Sequence, residues 1–263
     1  MSTPPRIEPT LEPATTPPPD AAGIAVELRP QRSLPPPSPR ERSSLLGHLL
    51  ILLLTLIGLL LLVIVALRWL PPPTTSYMLQ SPTKPVQYQW VPASQINDSV
   101  RQAVVAAEDQ KFWSHHGFDF EAIQKAEEYN RNARHHRRGA STISQQTAKN
   151  LFLWSGRSYL RKGLEAYYTV LLETLWPKRR ILEMYLNLAQ FGPDVYGVEE
   201  ASRRYFGKPA ARLDAHEAAI LAAVLPNPVR MHAGRPSDYV EGRANEVEEQ
   251  MRLLGADYLD GLK

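Results

Sequence analysis

Apolar positions change period twice along the chain. Residues 1–44 carry no periodic apolar face. From Leu49 to Leu67 only Thr55 and Gly58 interrupt an aliphatic run, so the run has no polar side at all. About 20 consecutive apolar residues match the hydrocarbon thickness of a bilayer. The stretch 45–68 therefore reads as one transmembrane helix. Its depth in the chain and the lack of a small-residue cleavage pattern after it argue against a secretory signal. Beyond residue 90 the apolar positions recur every three to four residues, which is the helical period.

Boundary residues divide that last stretch into helices. Asn97 or Asp98 can cap a helix carrying Val100, Val104 and Ala107. Thr142 and Gln145 have capping-box spacing. Over 157–176, Leu160, Leu164, Tyr168, Leu171 and Leu175 form a helical stripe, and Pro177 follows. Residues 178–190 repeat the pattern with Ile181, Leu182, Tyr185 and Leu188. Asp214 and Glu217 make a second capping box before an apolar run ended by Pro226. A last helix spans Ser237 to Leu254, with Gly255 as its stop. No alternating strand is evident. The expected class is mainly α: a helical domain over 95–263, joined to the transmembrane helix by a linker at 69–94.

Composition sharpens this at the N-terminus. Half of the 24 prolines fall in residues 1–44, with five arginines against five acids. Such a segment cannot bury enough surface to offset its ordering entropy and reads as a disordered Pro-rich tail. Arg29, Arg32, Arg40 and Arg42 precede the apolar run; Arg68, Trp69 and three prolines follow it. The arginine excess places the N-terminus in the cytoplasm and the helical domain outside it. A net charge of +3 is too mild to argue for nucleic acid. The absence of cysteine fits an exported domain that needs no disulfides.

Four polar clusters sit on the helical pattern. In "EDQKFWSHHGFD", Glu108 falls one turn after Val104, at the margin of a buried stripe. Desolvation there raises a carboxyl pKa toward neutrality, which suits a general acid or base. His115 and His116 are adjacent and lack metal-ligand spacing, so no metal site is read. In "GASTISQQTAKNLF", Ser141, Gln145 and Lys149 are spaced i, i+4, i+8 with Gln146 beside them, a grip for an oxygen-rich ligand. In "GRSYLRKGLE", Arg157, Arg161 and Glu165 repeat that spacing. In "KRRILEMYLNLAQFG", Glu183 and Asn187 are polar exceptions on a mostly apolar helix. On composition alone, the first cluster also reads as a helix C-terminus with ordinary polar residues, the second as a solvated helix face, the third as surface ion pairs and the fourth as mostly core helix.

Taken in order, these stretches resemble the peptidoglycan glycosyltransferases of family 51, most closely the monofunctional membrane-anchored ones. The resemblance covers about 95–230 and includes "EASRRYFGK". Ala140 stands where the family usually has glycine. The resemblance implies a lysozyme-like helical lobe with a small membrane-proximal jaw, in which "RNARHHRR" (131–138) would lie. It implies polymerisation of lipid II, with a growing glycan strand on undecaprenyl pyrophosphate as donor and inversion at the anomeric carbon. It casts Glu108 and Glu165 as catalytic. Asp109, Ser141, Gln145, Gln146, Lys149, Arg157 and Arg161 would be substrate-binding, the cations lying around the pyrophosphate. No cofactor is required by it; a divalent cation (Mg or Mn) at the pyrophosphate is an optional aid. The implied partners are lipid II, the glycan strand, the membrane and other cell-wall synthesis proteins. The implied location is the bacterial inner membrane, with one pass and a periplasmic domain.

Two rivals stand beside this reading. A glycan-cleaving enzyme would also use a buried glutamate, but would not need the Lys149, Arg157 and Arg161 set. A non-catalytic scaffold would not need the acid and the cations together. Ser81-Pro82-Thr83-Lys84 spells a transpeptidase S-x-x-K, yet it lies in a proline-rich linker with no K-T-G after it.

Overall fold

The computed structural model describes residues 39–132, 139–156, 158–255 and 257–259. The chain divides into two compact units, 1–51 and 52–263. Helix α1 spans Pro39–Ala66. A proline opens it, a position where its missing N–H costs no hydrogen bond. Residues 39–44, assigned to the tail from composition, are therefore helical, and 1–38 lie outside the described residues. The stretch Ser44–Ala66 is long and apolar enough to cross a membrane. Its leucines up to Leu59 are exposed, as lipid-facing side chains must be, whereas Leu60 is half-buried against the core and Ile64 is buried.

The second unit is built of helices. Helix α2 (Ser76–Leu79) and strand β1 (Gln87–Tyr88) follow the membrane segment. Helices α3 (Asp98–Glu108), α4 (Phe120–Asn132), α5 (Ile143–Phe152), α6 (Tyr159–Leu175) and α7 (Lys178–Leu188) come next. Strand β2 (Val195–Tyr196) precedes α8 (Val198–Phe206), α9 (Ala215–Val224) and α10 (Asp238–Leu254). The expected caps form. The Asn97 side chain accepts from Ser99 N–H at 2.9 Å. Thr142–Gln145 and Asp214–Glu217 are capping boxes, and Gly255 ends α10 with φ of 78°.

Helix α9 is apolar on every side, and a helix of that kind belongs at the centre of a core. All residues from Ala218 to Val224 are buried. Helices α3 and α10 pack against it, and α5 packs against α6 and α7.

Three details refine the expectations. The 69–94 segment is not a free linker: Met78 and Val91 are buried in the core. Strand β1 pairs with β2 in parallel, Gln87 opposite Val195 and Tyr88 opposite Tyr196. Two-residue strands are too short for an alternating pattern to register in the sequence. Helix α6 is rotated relative to its leucine stripe, of which Tyr168, Leu171 and Leu175 are half-buried against the core and Leu160 is exposed. Its buried residues are Glu165, Thr169 and Leu172, while Leu160, Tyr167 and Val170 are exposed.

Candidate active site

The site begins where α3 stops. Asp109 ends the helix in a non-helical conformation, and the chain turns through Phe112, which is fully buried. Gly117, with φ of 88°, then lies so close to α6 that a Cβ there would meet Thr169 Cγ2 at 2.7 Å. Only glycine allows both that φ and that approach.

Hydrogen bonds fix this turn. Gly117 N–H donates to His115 Nδ1 at 3.0 Å. The proton of the imidazole is therefore on Nε2, which donates to Asp109 at 2.9 Å. The other Asp109 oxygen accepts Ile143 N–H at 3.0 Å, at the first turn of α5. A carboxylate there satisfies an orphan donor and meets the positive end of the helix dipole. Thr142 Oγ1 donates to Gly117 O at 2.7 Å. The end of α3 and the start of α5 are thereby bracketed together.

The bracket places Gln146 opposite Glu108. Gln146 Nε2 donates to Glu108 Oε2 at 2.6 Å. Tyr185 Oη donates to Gln146 Oε1 at 3.3 Å from α7, which holds the amide in that orientation. Burial pushes the Glu108 carboxyl up from its ordinary pKa. The Gln146 bond, Arg243 on α10 and Lys149 pull the other way, and Asp109 adds to the rise.

Lys149 lies one turn further along α5, about 4.5 Å of helix rise from Gln146. Burial lowers its pKa; Glu165 raises it, and Arg161 and Lys162 lower it. Its ammonium sits 5.5 Å from the centroid of the Tyr77 ring. Across from it, Glu165 is buried and accepts from Arg161 Nη1 at 2.9 Å and Lys162 Nζ at 2.5 Å. Arg161 Nε is buried without a protein partner. Gln146, Lys149, Tyr185, Tyr77 and Gln190, with Leu225 and Pro226, line a cleft of about 150 Å³.

Glu108, Gln146, Lys149, Arg161 and Glu165 thus form one assembly. Ser141 precedes α5 and is exposed. Two assigned residues serve otherwise. Gln145 is buried and turns its amide oxygen back to Thr142 N–H at 3.0 Å, so it closes the capping box instead of facing a ligand. Asp109 is buried with both oxygens engaged by His115 and Ile143, so it braces the site. Arg157 lies outside the described residues, as do 133–138 of the basic stretch. Sequence reasoning took Tyr185 for a core residue and passed over Tyr77 and Arg243. Tyr185 occupies an apolar stripe position, and Arg243 sits in an ordinary charged helix, so neither carried a signal.

No three His, Asp or Glu side chains among the described residues are grouped to hold a metal ion. The one carboxylate amid the cations, Glu165, has both oxygens bound to them. A carboxylate kept basic by burial can take a proton, and cations near it, Lys149 and Arg161, can stabilise an anionic leaving group.

The family model described as Transglycosylase matches residues 76–252. Similar curated proteins carry the name biosynthetic peptidoglycan transglycosylase. The one from Pasteurella multocida is 51% identical over 204 residues, covering 74% of this chain and 82% of its own. The one from Cronobacter sakazakii is 61% identical over 168 residues, covering 64% and 69%. The one from Pseudomonas aeruginosa is 51% identical over 199 residues, covering 73% and 85%.

Proposed function

This chain belongs to the transglycosylase family and is a peptidoglycan glycosyltransferase, and we propose that it polymerises lipid II by a single inverting displacement at the Glu108 cleft. The carrying observation is the pairing of a desolvated Glu108, oriented by Gln146, with Lys149 one helical turn beyond Gln146.

In this reading the GlcNAc 4-hydroxyl of the acceptor lies against Glu108. A new bond forms from its oxygen to C1 of the donor MurNAc, and the hydroxyl proton passes to the Glu108 carboxylate. The bond from C1 to the lipid pyrophosphate breaks on the opposite face, so the anomeric centre inverts. Lys149 and Arg161 meet the charge that develops on the departing oxygen, and Arg157 joins them by its place in the motif. Glu165 holds Arg161 in position. A divalent cation at this step would be held by pyrophosphate oxygens, because the protein groups there are cationic.

Two features support a lipid-linked substrate. Among the described residues one helix stretch, Ser44–Ala66, is long and apolar enough to fit a membrane anchor. The outward face of α6 exposes Leu160, Tyr167 and Val170, and the carbonyl of Leu175 at its end accepts from Arg68 at 2.6 Å, just past the anchor. The arginines before the anchor support a cytoplasmic N-terminus and a periplasmic domain. A reporter fused after Lys263 and active only in the cytoplasm would reverse that orientation.

The test is incubation of purified protein with lipid II, with polymer read on a gel. Glu108→Gln is expected to lower the rate by at least about 10²-fold with the fold unchanged. Turnover by this variant above about a tenth of the wild-type rate would remove the general-base role.

A further inference from the structure

The last carbonyls of any helix lack intrahelical donors. At the end of α1 and in the turn after it, side chains from the α6–α7 corner supply them. Trp176 Nε1 donates to Ile64 O at 2.9 Å. Arg180 Nε and Nη2 donate to Leu67 O at 3.1 and 2.9 Å, and Nη2 donates to Leu70 O at 2.7 Å. The tie is reciprocal, because Arg68 donates to the final carbonyl of α6.

Arg180 is buried, so its charge needs balance. Glu183 accepts from its Nη1 at 2.6 Å, and the negative end of α1 supplies more. Trp90 lies beneath the guanidinium at 5.0 Å. The other Glu183 oxygen takes Ala93 N–H at 2.7 Å. Asn187 binds both backbone groups of Val91 at 2.9 Å. Arg180, Glu183 and Asn187 stand on one face of α7 at i, i+3 and i+7. This face grips the end of the membrane segment and the chain that re-enters the lobe. The same helix carries Tyr185, which holds Gln146 on Glu108.

We propose that Arg180 is a positioning residue: by clamping Ile64–Leu70 to α7, it sets the height of the catalytic cleft above the bilayer for a substrate that cannot leave the membrane. The inference rests on the lipid-linked substrate proposed above. It concerns transfer at the membrane surface and not the chemical step. A soluble substrate diffuses to the cleft in any pose; a membrane-held one reaches only the pose that the clamp fixes.

The experiment compares full-length Arg180→Gln and Arg180→Lys with wild type in two assays. One uses lipid II in proteoliposomes. The other uses a short-chain, water-soluble analogue in detergent. In liposomes both variants are expected to fall at least about tenfold, since ångström-scale misplacement costs up to about 10²-fold. In detergent they keep the wild-type rate. Lysine fails with glutamine because a point charge cannot fork onto two carbonyls. Equal loss in both assays, or no loss in liposomes, overturns the proposal. If Arg180→Gln does not fold, Arg68→Met and Trp176→Phe remove single donors to the same joint. Wild-type rates in liposomes for both would overturn it equally. A wild-type protein that makes no polymer in either assay refutes the proposed lipid II polymerisation instead.

Discussion

Replacing Gln146 by leucine tests how the base is kept ready. Gln146 donates to Glu108 at 2.6 Å, and that bond favours the ionised carboxylate against the burial that raises its pKa. A hydrogen bond to a charged group contributes about 1.5–3 kcal/mol, which is roughly 10- to 100-fold in the population of the ionised form. The sign follows directly. Removing the donor moves the Glu108 pKa further upward, so the acid limb of the pH–rate profile shifts to higher pH. The loss is about 10- to 100-fold below the limb and vanishes on the alkaline plateau. Lys149 and Arg243 still face the carboxylate, and Asp109 still opposes them. Leucine also strands the buried Tyr185 hydroxyl, so the variant is made together with Tyr185→Phe, and Tyr185→Phe alone is the control. The assay is initial polymerisation rate across pH, with melting temperature measured on each protein. An equal fold loss at every pH would mean that Gln146 acts through substrate contact alone; an unmoved profile would remove its coupling to Glu108.

Lys149→Met is expected to cost of the order of 10²-fold in rate on a pyrophosphate-linked donor. Its melting temperature should not fall, because burial already disfavours the Lys149 charge; a drop in melting temperature with full activity would make Lys149 a structural residue. Gln145→Ala should lose about 1 kcal/mol of stability with the capping box and leave KM unchanged, as read by denaturant unfolding and substrate titration. A raised KM at full stability would restore Gln145 to the substrate site. Arg243→Gln should shift the acid limb upward in the same direction as Gln146→Leu, since Arg243 lowers the Glu108 pKa; a shift to lower pH would contradict that assignment.

Much of this was legible in the residues. Caps at Asn97, Thr142, Asp214 and Ser237 are local, because a side chain within three residues decides them, so sequence spacing sufficed. The place of Glu108 at the end of an apolar stripe was legible for the same reason. Contacts between distant segments were not. That Asp109 caps α5 depends on a fold-back of 34 residues, and nothing near Asp109 distinguishes a brace from a ligand contact. Gln145 carried two readings, cap and grip, and only the direction of its amide separates them.

Helix α6 shows why the rest was hidden. Its periodicity was correct, but the stripe lies at the margin of the buried face: Tyr168, Leu171 and Leu175 pack half-buried against the core, while Glu165 takes a fully buried position. Sequence reading assigns the apolar stripe to the core because the alternative solvent is assumed to be water. Beside a membrane anchor that assumption fails, since an outward Leu160, Tyr167 or Val170 need not face water. The inward stripe can then be spent on function. Glu165 is buried with its two cations instead of a leucine, and Thr169 gives the backbone room for Gly117 to approach. An isolated buried carboxylate would be costly, and it is tolerable here because Arg161 and Lys162 occupy both its oxygens. The Glu165 face of α6 therefore points into the protein, and Leu160, Tyr167 and Val170 stand on its outward side.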